Sequence, residues 1–178
     1  MQNHFIIILM ILLIKLITPN NNTTEETLVK SNNSNKIEYN YMKKESQVIG
    51  KLNIPKLNIN NNLYEIESPY NNVNKNITIL KGTIFPQDNK NSLIILAAHS
   101  GYGNTAYFKD LNKLDKMDEI NITIKDKNQT YIIKEIWEEE KKGTINFKRE
   151  DKAQLILTTC SPTNEKKQLI INCIIKED

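Results

Sequence analysis

The chain has 178 residues, which is enough for one domain of ordinary size and a short extension. Hydrophobic residues make up 39% of it, enough for a packed core but too few for a membrane protein with several spans. The 24 Lys and Arg residues nearly balance the 21 Asp and Glu residues, and no basic run alternates with aromatic residues, so we expect no nucleic-acid partner.

An almost wholly aliphatic run opens the chain, from Phe5 to Ile17, with Lys15 as its single charge. It is shorter than the roughly 20 apolar residues that span a bilayer as a helix, yet it is too apolar for an exposed helix. Lys15 can extend its amine towards the membrane surface. We predict that residues 1–18 are an uncleaved membrane anchor, with a cleaved signal peptide as the alternative, and that the rest of the chain lies outside the cell.

Residues 19–46 are rich in Asn, Thr, Ser, Glu and Lys and contain few apolar residues. Such a composition cannot bury enough apolar surface to fold, so we predict a flexible linker there. The remaining residues, 47–178, would form a folded domain that the linker holds away from the membrane.

Short runs of aliphatic and β-branched residues recur between turn signals in residues 47–178. They cover 48–54, 57–63, 77–80, 93–98, 120–124, 131–137, 154–159 and 169–175. Apolar residues at helical spacing occur only between Thr105 and Leu114, where two preceding glycines favour a loop that leads into a short helix. Seven or eight strands with so little helix predict an all-β fold, a closed or nearly closed barrel.

One predicted strand delivers a histidine at its end. The apolar run Leu93 to Ala98 leads directly into His99, and a glycine-rich loop follows. Histidine is the usual side chain for proton transfer near neutral pH, and the other histidine, His4, lies beside the apolar run at the start of the chain. His99 is therefore the candidate acid/base, although a histidine that merely bonds its own loop is the alternative when this segment is taken alone.

A second predicted strand delivers a cysteine in the same way. Gln154 to Thr159 leads into Cys160, and Pro162 forces the chain to turn. A thiol attacks a carbonyl only as the thiolate, which a neighbouring imidazole can favour. Taken alone, Cys160 also fits a buried structural cysteine. Together with His99 it predicts nucleophilic catalysis, and we expect neither a metal nor a cofactor.

The other cysteine, Cys173, is not a suitable disulfide partner. If the strands on either side of residues 161–167 form a symmetric hairpin, Cys160 lies opposite Gln168 and Cys173 lies opposite Leu155. Five residues of strand then separate the cysteines, roughly 17 Å. A disulfide needs Cα atoms within about 7 Å, so we predict that Cys160 stays free and that Cys173 belongs to the core.

These segments together resemble the sortase family. Leu157 to Cys160 is similar to the family's Thr-Leu-x-Thr-Cys signature, with Ile156 in place of the first Thr, and Ala97 to Gly101 is similar to its strand-end histidine. Gly50 to Leu57 resembles the family's first strand, and Tyr107 to Leu111 resembles the short helix after the histidine. The similarity covers about 48–175, and it implies a closed eight-stranded barrel with one or two short helices.

The resemblance also implies a two-step acyl transfer at the bacterial cell surface. Cys160 would attack the Thr carbonyl of a C-terminal sorting signal of the Leu-Pro-x-Thr-Gly kind on a secreted protein, between Thr and Gly. His99 would protonate the departing amine and later deprotonate the incoming one, an amine of a peptidoglycan precursor or of a pilin. Thr159, Ala98 and Ser100 are the expected substrate-binding residues. The connection from Glu138 to Ala153 falls where the family shapes its signal-binding site.

One departure from the family concerns an arginine at the start of the last strand, which steadies the substrate and the developing oxyanion. This chain has Gln168 in that column, preceded by Lys167. A glutamine donates two N–H bonds without charge, and a lysine lacks the bidentate fork of arginine. We predict that Gln168 takes the role, with Lys167 as the second candidate. The single arginine, Arg149, could instead reach in from the preceding loop.

Two other functions share these residues. A thiol hydrolase would cut the same signal and pass it to water. A degenerate, membrane-anchored binding module would hold secreted proteins without cutting them, and the missing arginine favours it.

Overall fold

In a computed structural model, which describes residues 47–86 and 91–177, the chain forms eight strands and two single 3-10 turns. The strands are β1 Val48–Ile54, β2 Ile59–Tyr64, β3 Thr78–Ile79, β4 Leu93–Ala97, β5 Glu119–Ile124, β6 Lys127–Glu140, β7 Gln154–Cys160 and β8 Lys167–Ile175. The 3-10 turns are Pro55–Leu57 and Leu111–Lys113. The all-β class is as predicted.

The strands form a single sheet in the order β2-β1-β5-β6-β8-β7-β4-β3. The edge strands β2 and β3 also contact each other, so the sheet curls into a nearly closed barrel. Every neighbouring pair is antiparallel except β4 and β7, which run parallel. Because parallel strands end at the same edge of a sheet, β4 and β7 deliver their last residues to one place.

The sheet buries apolar side chains on both of its faces around β4, β7 and β8. Residues that alternate along these strands fill the barrel interior, among them Ile94, Leu96, Leu155, Leu157 and Ile171. The intervening residues on the outer face form a second cluster, Leu93, Ile95, Ile156 and Ile170, against which Ile145 and Phe147 of the β6–β7 connection pack. Burial on both faces explains why these strands read as continuous apolar runs.

The predicted strands agree with the structure except at their ends. β6 extends through three consecutive glutamates to Glu140, because its backbone pairs with β8 as far as Lys167. The helix expected near Thr105 to Leu114 is reduced to the turn Leu111–Lys113, although Phe108 and Leu111 are fully buried. A loop held by its buried apolar residues thus replaces most of the helix.

The predicted anchor, residues 1–18, and the predicted linker, residues 19–46, lie outside the described residues. Within the part of the chain that is described, no helix is long and apolar enough to cross a bilayer.

Candidate active site

His99 and Cys160 follow corresponding positions of two neighbouring parallel strands. Ala97 of β4 pairs with Thr158 of β7, and the Ala98 amide bonds the Thr158 carbonyl at 3.4 Å, which continues the pairing past the end of β4. His99 and Cys160 are each two residues beyond that pair. Cys160, the last residue of β7, lies on the outer face with Ile156, and the alternation of β4 continued past Ala97 assigns His99 to the face of Ile95. The register therefore brings the predicted imidazole and thiol to one edge of the sheet.

Thr159 and Ala98 lock the two strand ends together. The Thr159 hydroxyl donates to the Ala98 carbonyl at 2.7 Å, and both residues are buried. Their side chains lie on the inner side of the sheet, opposite to Cys160. Ser100, the next residue after the histidine, is half-buried. Contact between these residues and a substrate stays a prediction.

The two cysteines occupy opposite environments. Cys160 is exposed and Cys173 is buried, and both thiols are free. The pairing of β7 with β8 sets Cys160 opposite Gln168 and Cys173 opposite Leu155, which confirms the predicted hairpin register. Burial raises the pKa of the Cys173 thiol far above its ordinary value. Of the two, only Cys160 is accessible to a substrate.

The imidazole of His99 is held by Asn74, a residue that sequence reasoning missed. Asn74 lies in the loop between β2 and β3, and its side-chain oxygen is 3.0 Å from His99 Nε2. Because a carboxamide oxygen can only accept, Nε2 carries the proton of this bond. In the described part of the chain no hydrogen bond joins the imidazole to the Cys160 thiol, so Asn74 fixes the ring in the resting state.

The loop that carries Asn74 is itself fixed at several points. Asn71 accepts from the Ile79 amide at 2.7 Å and donates to the Ile66 and Ile79 carbonyls. The Tyr107 hydroxyl donates to the Lys75 carbonyl at 3.2 Å, which ties the segment after His99 to the same loop. Asparagine is so abundant in this chain that no sequence signal marked Asn74.

Cys160, Gln168 and Glu139 form one row across three neighbouring strands. Gln168 of β8 pairs with Cys160 on one side and with Glu139 of β6 on the other. Opposite residues of antiparallel strands point to the same face, so the three side chains share the outer face of the sheet. Gln168, which occupies the position of the family's arginine, thus lies between the Cys160 thiol and the Glu139 carboxylate.

Both N–H groups of the Gln168 amide are used within this row. Nε2 donates to Glu139 Oε1 at 2.9 Å and to the Thr144 carbonyl at 2.7 Å. The oxyanion role predicted for Gln168 would require one of these bonds to break. Lys167, the second candidate, belongs to the next row, opposite Glu140.

The Glu139 carboxylate also accepts two bonds from Asn146, from the backbone N–H and from Nδ2, both at 3.1 Å. Partial burial disfavours the charged carboxylate, but the bonds from Asn146 and Gln168 outweigh it and hold the Glu139 pKa below its ordinary value. Glu139 is therefore an ionised acceptor near the site at neutral pH.

Arg149 lies at the opposite end of the strands from Cys160. Its guanidinium donates to the carbonyls of Asn91 and Ser92, just before β4, and to Gln154 Oε1 at the first residue of β7. β7 separates this position from Cys160 by six residues, roughly 20 Å. Arg149 consequently does not supply a cation to the site.

Ser161, which follows the cysteine, shapes the turn after β7 and was also missed. Its hydroxyl donates to Glu138 Oε1 at 2.6 Å and accepts from the amides of Thr163 and Asn164, both at 3.1 Å. The residue is 7% exposed. These bonds fix the chain direction directly beyond Cys160.

Comparison with known families finds a match to the family model described as "Sortase domain" over residues 52–175. No curated protein sequence matches the chain.

Solved structures with the same fold include several sortases. Sortase A from Corynebacterium diphtheriae, a lid mutant, is similar with a TM-score of 0.65 and 20% identity, over 78% of this chain and 75% of that one. Clostridium perfringens sortase C with the C-terminal cell wall sorting motif has a TM-score of 0.63 and 25% identity, over 82% and 79%. A Clostridium perfringens sortase D5 transpeptidase has a TM-score of 0.60 and 24% identity, over 73% and 79%.

Proposed function

This chain belongs to the sortase family of cysteine transpeptidases, and on that premise we propose that it cleaves a sorting signal of the Leu-Pro-x-Thr-Gly kind between Thr and Gly. The acyl group then passes to an amine of the cell wall or of a pilin. Cys160 is the nucleophile and His99 is the acid/base in this proposal. The sorting motif named with the Clostridium perfringens sortase C supports a substrate of this class.

In the first step the Cys160 thiol gives its proton to the imidazole of His99, and the thiolate sulfur bonds to the Thr carbonyl carbon while the π electron pair of the C=O bond moves onto the oxygen. The tetrahedral intermediate collapses, the C–N bond to Gly breaks, and the imidazolium of His99 gives its proton to the departing amine. In the second step His99 takes a proton from the incoming amine, a new C–N bond forms, and the C–S bond breaks. The departing thiolate then takes a proton back from the imidazolium of His99, so that thiol and imidazole return to their starting states.

The observation that carries this proposal is the shared edge of β4 and β7. His99 and Cys160 follow the same pair, Ala97 and Thr158, on the same face, and Cys160 is exposed. In the proposed complex an extended peptide laid along that edge meets both groups at one peptide bond.

The test is direct. The protein is mixed with a peptide that contains Leu-Pro-x-Thr-Gly, and intact mass is followed with time. We expect a covalent adduct whose added mass is that of the peptide up to Thr less one water, absent in Cys160→Ala and strongly reduced in His99→Ala. Peptide variants with other residues at the first two positions cover related signals. If the whole set yields no adduct, cleavage of this class of signal is excluded and a binding module becomes the better assignment.

A second measurement on the same mixture, the analysis of the released products, identifies the molecule that accepts the acyl group. Added amines, a glycine peptide or a lysine-containing peptide, compete with water for the acyl-enzyme. An amide product that grows with amine concentration supports transpeptidation. Free acid alone at every amine concentration identifies a hydrolase.

We also propose that residues 1–18 tether the enzyme to the cell membrane with the catalytic domain outside, on the strength of the aliphatic run from Phe5 to Ile17. Fractionation of cells that produce the full chain tests this. We expect the protein to be found in the membrane fraction. We also expect protease added to intact protoplasts to digest the catalytic domain. Release into the medium would support the cleaved signal peptide instead.

A further inference from the structure

The connection between β6 and β7, residues 141–153, is held beside Cys160 by a small group of polar bonds. Glu139 accepts from Asn146 twice at 3.1 Å and from Gln168 at 2.9 Å. Gln168 also donates to the Thr144 carbonyl at 2.7 Å. We call Glu139, Asn146, Gln168 and the Thr144 carbonyl the loop clip.

The loop clip sits where the connection meets the outer face of the sheet. Ile145 and Phe147, on either side of Asn146, pack against the cluster that contains Ile156 and Ile170. Ile156 and Cys160 lie on the same face of β7, and Gln168 is directly opposite Cys160. Residues 144–147 therefore border the surface along which a peptide must approach the thiol.

Little other structure fixes this border. Residues 144–150 adopt neither strand nor helix, so their conformation depends on side-chain bonds and on the packing of Ile145 and Phe147. The carboxylate of Glu139 uses both oxygens for the loop clip, and the Gln168 amide uses both N–H groups. Hydrogen bonds to a charged group are among the strong ones, so the clip contributes substantially to local order.

We propose that the loop clip positions residues 144–147 for substrate binding, and that Gln168 acts through this loop and not on the oxyanion. The proposal rests on the proposed function for its substrate. Glu139, Asn146 and Gln168 are positioning residues in this account. Their loss weakens peptide binding more than it slows the chemical step.

Hydrogen exchange tests the structural half without any substrate, because the Asn146 amide itself donates to Glu139. In Glu139→Ala we expect this amide to exchange at least about tenfold faster, the effect of losing one bond to a charged acceptor. The Lys141 amide, which bonds the Lys166 carbonyl at 2.9 Å, should keep its protection and serves as the internal reference. Glu140→Ala is the matched control, since Glu140 is exposed and its carboxylate forms an ion pair with Lys142 outside the loop clip.

Kinetics with a Leu-Pro-x-Thr-Gly peptide tests the functional half. Glu139→Ala and Gln168→Met should raise KM by about tenfold and change kcat by less than about threefold, because the bonds lost do not touch the reacting atoms. Gln168→Arg should keep the KM of the native chain, since a guanidinium can donate to both Glu139 and the Thr144 carbonyl. Glu140→Ala should leave both constants unchanged.

Two results would overturn the proposal. One is unchanged exchange at Asn146 in Glu139→Ala. The other is a Gln168→Met variant with a normal KM and a kcat lowered about a hundredfold, which would assign Gln168 to the oxyanion. If the native chain forms no acyl-enzyme at all, that failure belongs to the proposed function. The exchange at Asn146 then decides alone whether the clip holds the loop.

Discussion

Cys160 and Gln168 lie directly opposite each other at the adjoining ends of β7 and β8. The family resemblance expects an arginine where Gln168 stands, so a neutral amide occupies the position closest to the thiol on the neighbouring strand. That amide is turned towards Glu139 and Thr144. An arginine at this position could both support the β6–β7 connection and supply a positive charge. Gln168 supports the connection but supplies no charge.

The two cysteines should differ sharply in reactivity. Iodoacetamide should modify Cys160 alone in the folded protein, because Cys173 is buried and its raised pKa disfavours the thiolate. Intact mass should show one added group under native conditions and two in denaturant. Two groups added at equal rates to the native chain would contradict the described burial. Cys160→Ala is the control and should take up none under native conditions.

Asn74→Ala should slow acyl-enzyme formation by about tenfold, because the imidazole loses the acceptor that fixes its orientation and its tautomer. The rate is measured by quenched-flow mass spectrometry. Nitrogen NMR in a His4→Gln background reports which ring nitrogen of His99 carries the proton. Asn62→Ala, on the exposed side of β2, is the matched control. An unchanged rate together with an unchanged tautomer would show that Asn74 has no such role.

Arg149→Ala should destabilise the fold without affecting the reaction. The guanidinium joins the β6–β7 connection to the start of β4 and to the fully buried Gln154, so its loss should lower the free energy of unfolding by about 1–3 kcal/mol. Urea unfolding measures this. Lys148→Ala removes a neighbouring positive charge and leaves those bonds intact, which makes it the control. A large loss of acyl-enzyme rate in folded Arg149→Ala would argue against this assignment.

Gly50→Ala should be strongly destabilising. A Cβ at this position would lie 2.1 Å from the Thr123 carbonyl oxygen of the paired strand β5, so β1 and β5 would have to separate. We expect a loss of about 1–3 kcal/mol, as for an overpacked core. Gly101→Ala, where nothing lies within 4 Å, should change stability by less than about 0.5 kcal/mol. Thermal unfolding compares the two, and equal stabilities would contradict the close approach.

The sequence was most informative where burial is strongest. β4, β7 and β8 are apolar on both faces, and their runs therefore appeared at the correct positions. The register of Cys160 with Gln168 followed from one assumption about the hairpin, because a short loop leaves few alternatives. The polar end of β6 was missed, since three glutamates carry no strand signal and only the pairing with β8 orders them.

Contacts between loops and strands could not be predicted in the same way. Asn74 and His99 are far apart in the chain, and their contact depends on how the β2–β3 loop crosses the end of β4. Gln168 was identified from its alignment with the family's arginine. Its partners, Glu139 and the Thr144 carbonyl, could not be identified because they depend on the path of an irregular segment. Such contacts leave no periodic pattern in the sequence, because each involves only a few polar atoms.

The parallel pairing of β4 with β7 makes the positions of His99 and Cys160 depend on the number of residues in two short strands and not on the length of the exposed loops between those strands. Deleting a single residue inside either strand would rotate one member of the pair His99 and Cys160 into the barrel interior. Lengthening an exposed loop, such as Gly101 to Asn104, would leave both where they are. Natural variation in this enzyme should accordingly accumulate as insertions in the connections, while the residue count of β4 and β7 stays constant.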